Sequence, residues 1–257
     1  ETRATYYERY RLADIFAPVT RAPNNALKRL AEIPGVASVE GRVQGGALLE
    51  VEGQALPVRA MAVSLPPDLA PGLNNIYLSS GRMLARGRTE EVIVLQSFAK
   101  AHDLKLGDAL SATMYGARRS FRIVGFAMAP EFLFTTAPGE FVPDNARFAV
   151  LWMNEEALAA AFDVEGAFNE ALVSLERGAR PEAVLTAIDA VLNRYGSLGA
   201  YSRDDHMSDR FISEEISGLQ ATSVAVPPIF MGVAAFLLYI VITRLVQSER
   251  EQIGLIK

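Results

Sequence analysis

The chain has 257 residues, 50% of them hydrophobic and 21% charged, a balance that gives a folded protein rather than a disordered one. A formal net charge of −5 and a pI near 5.3 offer nucleic acid no basic face. With no cysteine, disulfides and thiolate metal sites are excluded.

Residues 1–11 (ETRATYYERYR) are polar, aromatic-rich and free of breakers, and predict the end of a stalk helix. Ala13 to Val19 reads as a strand closed by Pro18. Asn24 and Asn25 then offer a cap to a helix whose apolar positions are Ala26, Leu27, Leu30, Ala31 and Ile33, stopped by Pro34-Gly35. Val36 to Val43 alternates, and Gly45-Gly46 is expected to turn it back into a second strand, Ala47 to Val51.

From Leu56 to about Asp144 the pattern changes to short β-like runs broken by Gly and Pro, among them Val58–Val63, Glu91–Leu95 and Phe121–Phe126. Ser97 to His102 predicts a short helix, and Tyr115-Gly116 a hairpin tip. A strand over Phe148–Met153 follows, then a helix over Glu155–Phe162 with Asn154 as its cap. The strand–helix–strand grammar returns in Glu170–Leu175, a helix opened by Pro181 with Val184, Ile188 and Leu192 on one face, and Leu198–Ser202. Two such units can share one sheet with both helices on one face, a ferredoxin-like α+β arrangement. The expected fold is therefore a discontinuous domain from residues 12–55 and 149–203, with residues 56–148 inserted as a small β-rich subdomain.

Residues 204–219 predict a second stalk helix, with Met207, Phe211, Ile212, Ile216 and Leu219 along one stripe. Ser217 to Thr243 then carries no charge. As a helix this stretch would reach about 40 Å, beyond the ~30 Å hydrocarbon core of a bilayer. It predicts one transmembrane helix over residues 220–244, with Pro227 and Pro228 as a candidate hinge. Arg244, Arg250 and Lys257 follow the span, against Arg203 and Arg210 before it, so the tail is expected inside and the bulk outside.

No catalytic constellation is legible. His102 and His206 stand in no metal-ligand spacing, and neither a phosphate-binding loop nor a nucleophile elbow is present. No enzyme activity and no cofactor are expected. Phe132, Leu133 and Phe134 form a candidate periplasmic contact patch, with a core corner as the alternative. In the tail, residues 245–257, Ile253, Leu255 and Ile256 sit among charged neighbours. Such an element either lies on lipid headgroups or docks into a partner's groove.

The stretch Arg250-Glu251-Gln252-Ile253-Gly254-Leu255-Ile256-Lys257 matches the coupling pattern R-x-x-[EQ]-I-G-[ILM]-[ILM]-[KR] from its fourth position onward, and with the preceding span it resembles the FtsX-like permease family of ABC transporters, the MacB and LolC/LolE type. RYRLADIFAPVTRAP, IPGVASVEGRV, VLWMNEEALAAAFDVEGAFNEALVSL and LGAYSRDDHMSDRFISEEI are similar to one bacterial branch of it. The resemblance implies a periplasmic domain with a porter-like part and an inserted sabre-like part, on an inner-membrane protein whose first span lies upstream of residue 1. It also implies a separate cytoplasmic ATPase that grips Glu249, Arg250, Glu251, Gln252, Ile253, Gly254, Leu255 and Lys257. A second permease copy and a periplasmic substrate or adaptor protein are the further partners implied. The function implied is mechanotransmission from that ATPase to the periplasmic domain. The alternative from the residues alone is a membrane-anchored extracytoplasmic sensor that binds a small ligand.

Overall fold

A computed structural model describes residues 9–54, 56–132, 144–205, 227–228 and 230–245. The chain divides into two units, Glu1–Asp209 and Arg210–Lys257. The first unit holds two sheets, and the reasons for each lie in local sequence.

β1 (Ile15–Pro23), β2 (Val36–Arg42), β10 (Ala167–Leu175) and β11 (Tyr201–Ser202) form a four-stranded sheet in the order β11-β1-β10-β2. Every neighbouring pair is antiparallel. Helix α1 (Ala26–Ala31) joins β1 to β2, and α4 (Pro181–Leu192) joins β10 to β11. Pro181 opens α4 at a position where its missing N–H has no helical partner to lose. Val184, Ile188 and Leu192 recur every fourth residue and are all buried, giving the helix one apolar face. That face packs with Leu30 of α1 against Ile15, Ala17 and Val19 of β1 and Ala171 and Val173 of β10.

β1 runs past Pro18 as far as Pro23, further than the sequence indicates. A register shift against β10 falls between Pro18 and Ala22. Proline donates no ladder hydrogen bond, and an irregularity is how a central strand accommodates one.

The second sheet has the order β5-β8-β6-β9-β4-β3-β7, and β7 also pairs with β8. That last pairing closes six strands into a ring, a small barrel, with β5 (Tyr77–Gly81) added outside β8 (Ala117–Met128). The other members are β3 (Gln44–Glu50), β4 (Val58–Leu65), β6 (Glu91–Leu95), β7 (Ala109–Met114) and β9 (Phe148–Asn154). Side chains alternate along β3 and β4, so Ala47, Leu49, Val58, Ala60 and Ala62 point inward to a core shared with Ile93, Ile123 and Leu151. Helices α2 (Gln96–Ala101) and α3 (Glu155–Phe162) cover it. A closed barrel leaves few free edges, which suits a β-rich insertion that must not aggregate.

β3 and β9, read from sequence with the outer segments, hydrogen-bond within the barrel. β2 and β3 are not a hairpin: β3 pairs with β4 and β7, so the chain passes from one sheet into the other between Arg42 and Gln44. Gly45, one of the two glycines that suggested a turn, has another cause. A Cβ on Gly45 would lie 2.3 Å from Cζ of Phe162, so Gly45 is where α3 presses its last ring onto the strand.

In the second unit the described residues 227–228 and 230–245 are helical. Among the described residues no helix is long and apolar enough to cross a membrane. The expected stalk helix over 204–219 lies outside the described residues from position 206 onward, and Arg203–Asp205 form a 3-10 turn.

Candidate functional site at the joint between the sheets

Alternation sends Ile15, Ala17, Ala171 and Val173 toward the helices, and so sends Phe16, Glu170 and Leu172 to the opposite face of the four-stranded sheet. Phe16 stacks there on Tyr201, with ring centroids 5.5 Å apart. Leu12, Ala13, Leu73 and Leu172 close a small apolar cluster around them. Leu73 comes from the loop between β4 and β5, so this face is where the barrel part meets the four-stranded sheet.

An ionic cluster is built into that joint. Arg42 and Glu170 are direct cross-strand partners at the end of β2. Arg42 Nε donates to Glu170 Oε2 at 2.6 Å. Its Nη1 donates to Glu131 Oε2 at 2.8 Å, and its Nη2 to Glu131 Oε1. Glu131 lies in the 3-10 turn Pro130–Phe132 that follows β8, so this pairing ties the barrel to the sheet. Asn74 completes the set. Its Nδ2 donates to Glu131 Oε2 at 2.7 Å, while its Oδ1 accepts from the Ala13 N–H at 2.7 Å. Asn74 holds this position at φ +49°, a left-handed conformation that asparagine tolerates better than most residues. All four side chains belong to buried residues, from 2% exposed for Glu170 to 6% for Arg42 and Asn74.

Two further contacts reinforce the joint. Glu40 accepts from the Gly72 and Leu73 N–H groups at 2.7 and 2.9 Å. Asn169 bonds both backbone groups of Gln44, accepting its N–H at 2.8 Å and donating to its carbonyl at 2.6 Å. That amide guides the chain through the crossing from β2 into β3.

The electrostatics follow from burial. Desolvation pulls the Arg42 guanidinium down, and Glu131 and Glu170 more than reverse this, so it stays charged. Burial raises the Glu170 carboxyl against the opposing pull of Arg42. Burial also raises the Tyr201 phenol, helped by Glu170 and Glu131. A cluster this closed to solvent offers no entry to a substrate, and its chemistry is that of a fastening. Among the described residues no group of three or more carboxylates and histidines is placed to hold a metal ion.

The sequence candidates are distributed as follows. Phe132 is half-buried, its ring edge-on to Trp152 at 6.0 Å, a core corner at that position; Leu133 and Phe134 lie outside the described residues. His102 bonds the Ala146 carbonyl through Nε2 at 2.7 Å and packs on Phe98. Pro227 and Pro228 have helical backbone and are exposed. Glu249, Arg250, Glu251, Gln252, Ile253, Gly254, Leu255 and Lys257 lie outside the described residues. Over residues 230–245 every side chain but that of Thr243 is exposed, including Phe230 at 70% and Tyr239 at 68%. The cluster itself was missed from sequence. Its signal was a charge inside each of three apolar settings: Arg42 before Val43, Glu170 opening EALVSL, and Glu131 between Pro130 and Phe132.

No family model matches the chain, and no curated protein matches it. Solved structures do match. The periplasmic region of MacB from Actinobacillus actinomycetemcomitans is similar at TM-score 0.46 and 11% identity, over 82% of this chain and 95% of that one. The extracellular domain of the noncanonic ABC-type transporter YknZ from Gram-positive bacteria is similar at 0.47 and 11%, over 74% and 98%. A domain of a putative permease protein from Porphyromonas gingivalis is similar at 0.42 and 15%, over 79% and 96%.

Proposed function

We propose that the chain carries the extracytoplasmic domain, one membrane helix and the ATPase-coupling segment of an ABC transporter permease of the bacterial inner membrane. The four-stranded sheet with its two helices is then the ferredoxin-like, porter-like part, and the barrel is the sabre-like part. Residues 220–244 span the bilayer, and Glu249 to Lys257 lie in the cytoplasm where a separate ATPase grips them. ATP-driven movement of that grip travels through the span to the domain outside, and the chain itself catalyses nothing.

The observation that carries this reading is the part of the helix over residues 230–243, without charge and with nearly every side chain exposed, placed shortly before the Arg250–Lys257 motif. A helix apolar all round is stable only when buried in protein or lipid. The motif supplies the reason for a handle on its far side. In a complete permease, Gly254→Trp and Glu251→Lys are expected to leave the domain folded while abolishing ATPase stimulation and the associated phenotype. Wild-type coupled ATPase in both variants would remove the docking role.

A further inference from the structure

The chain enters the four-stranded sheet at β1 and leaves it at β11, and these two strands lie side by side. Ile15 pairs with Ser202 and Phe16 with Tyr201, so the entering and leaving ends meet at one end of β1. Asp14 is the residue that both ends share. Its N–H donates to the Val173 carbonyl at 2.9 Å, and its own carbonyl accepts the Arg203 N–H at 2.8 Å. Its Oδ2 accepts the Leu175 N–H at 2.9 Å, while its Oδ1 faces Arg203 Nη1 at 3.1 Å. One residue thus holds the leaving chain and the end of β10 together.

The residues just before Asp14 are held from the barrel side. The Asn74 N–H donates to the Arg11 carbonyl at 2.9 Å and the Asn75 N–H to the Tyr10 carbonyl at 2.8 Å. The Ala13 N–H donates in return to Asn74 Oδ1 at 2.7 Å. Tyr10 also stands edge-on to Tyr77 of β5, with ring centroids 6.5 Å apart. Arg11 takes φ +49° beside this loop, a left-handed conformation that a non-glycine residue keeps only where its surroundings fix it.

We propose that residues 10–14 are a transmission clasp: they bind the leaving chain through Asp14 and the β4–β5 loop of the barrel through Tyr10, Arg11 and Ala13, so a displacement at either end of the domain reaches the barrel through this one short segment. Five residues span at most about 18 Å even when fully extended, so the two sets of bonds cannot move far apart without one set breaking. The Asp14–Arg203 ion pair is partly exposed and is a weak hold by itself. The backbone bonds on either side of it make the segment act as a unit. Such coupling is reciprocal: what loosens the leaving chain loosens the loop, and the reverse. The clasp is read from the geometry of the domain and stands apart from the permease reading.

Hydrogen exchange, read amide by amide on the full chain in detergent micelles, tests this. Asp14→Ala is expected to speed exchange at Leu175 and Arg203, its own partners. It is also expected to speed Asn74 and Asn75, to which Asp14 makes no bond, by about fivefold or more. Asp14→Asn keeps an oxygen for the Leu175 N–H, so it is expected to spare that amide while still speeding the other three. Tyr77→Ala, made on the barrel side, is expected to speed Asn75 and, by reciprocity, Arg203. Val94 and Leu151, in the barrel core, are expected to exchange as in the wild type in all three variants. Faster exchange confined to the direct partners of the replaced side chain, or a rise shared equally by Val94 and Leu151, would overturn the proposal.

Discussion

Replacing Arg42 with methionine keeps most of the side-chain stem and deletes the guanidinium that Glu131 and Glu170 share. Both carboxyls stay where they are, 5% and 2% exposed. Removing one partner of a buried pair costs about 3–5 kcal/mol, since the remaining charge keeps its desolvation penalty without its compensation. At roughly 2–4 °C per kcal/mol for a domain of this size, the melting temperature should fall by about 6–20 °C. The loss should shrink in acid, where both carboxyls can take up protons without a cation. Trp152 is the sole tryptophan, buried in β9 beside Phe132, so its fluorescence follows the barrel while far-ultraviolet circular dichroism follows both sheets. Adding Glu131→Gln and Glu170→Leu to the Arg42→Met chain should restore most of the stability, because replacing a whole buried ion cluster is often neutral or better. A single variant within about 1 kcal/mol of wild type would refute the reasoning. So would a triple variant less stable than the single one.

The hairpin between β7 and β8 turns on Tyr115 and Gly116, both at positive φ, +47° and +80°. Tyr115→Asn should raise the denaturant midpoint, by an amount worth about 0.5–1 kcal/mol, since asparagine suits the first position of such a turn and tyrosine does not. Elsewhere, the Arg82 guanidinium, with help from the Ala85 N–H, holds the Glu91 carboxyl below the usual carboxylate range. Its contribution is present above the ordinary value of 4.5 and lost as pH falls through the folded one. Glu91→Gln should therefore lower the unfolding midpoint at neutral pH, with the gap to wild type closing as the pH falls below that ordinary value.

Local chemistry announced the elements that it controls alone. Pro181 with its fourfold apolar spacing marked α4, and Tyr115-Gly116 marked a two-residue turn. Val58–Val63 and Glu91–Leu95 declared themselves as strands by composition, the first running on to Leu65. What local chemistry could not carry was the partner of each strand. Gly45 looks like a turn residue until Phe162, more than a hundred positions away, is found against it. Pro18 looks like the end of β1, and only the shift in register against β10 lets the strand go on. β5, with Gly81 closing a run that includes two serines, gave no strand signal at all, and it owes its place to pairing with β8. The joint was illegible for the same reason: Arg42, Asn74, Glu131 and Glu170 have no spacing that a motif could capture, and only the meeting of two sheets makes them neighbours. The proposed coupling segment is the converse case, a pattern written in consecutive residues and resting on sequence alone.

The account turns on which side of a membrane each end of the chain occupies. Single cysteines placed at Arg21, exposed on β1, and at Ser248 in the tail, each in the protein expressed in living cells, can be challenged with a maleimide that does not cross the inner membrane. The account predicts that Arg21→Cys reacts in intact cells and that Ser248→Cys reacts only after the membrane is opened. Equal labelling of both positions in intact cells, or of neither, would contradict it.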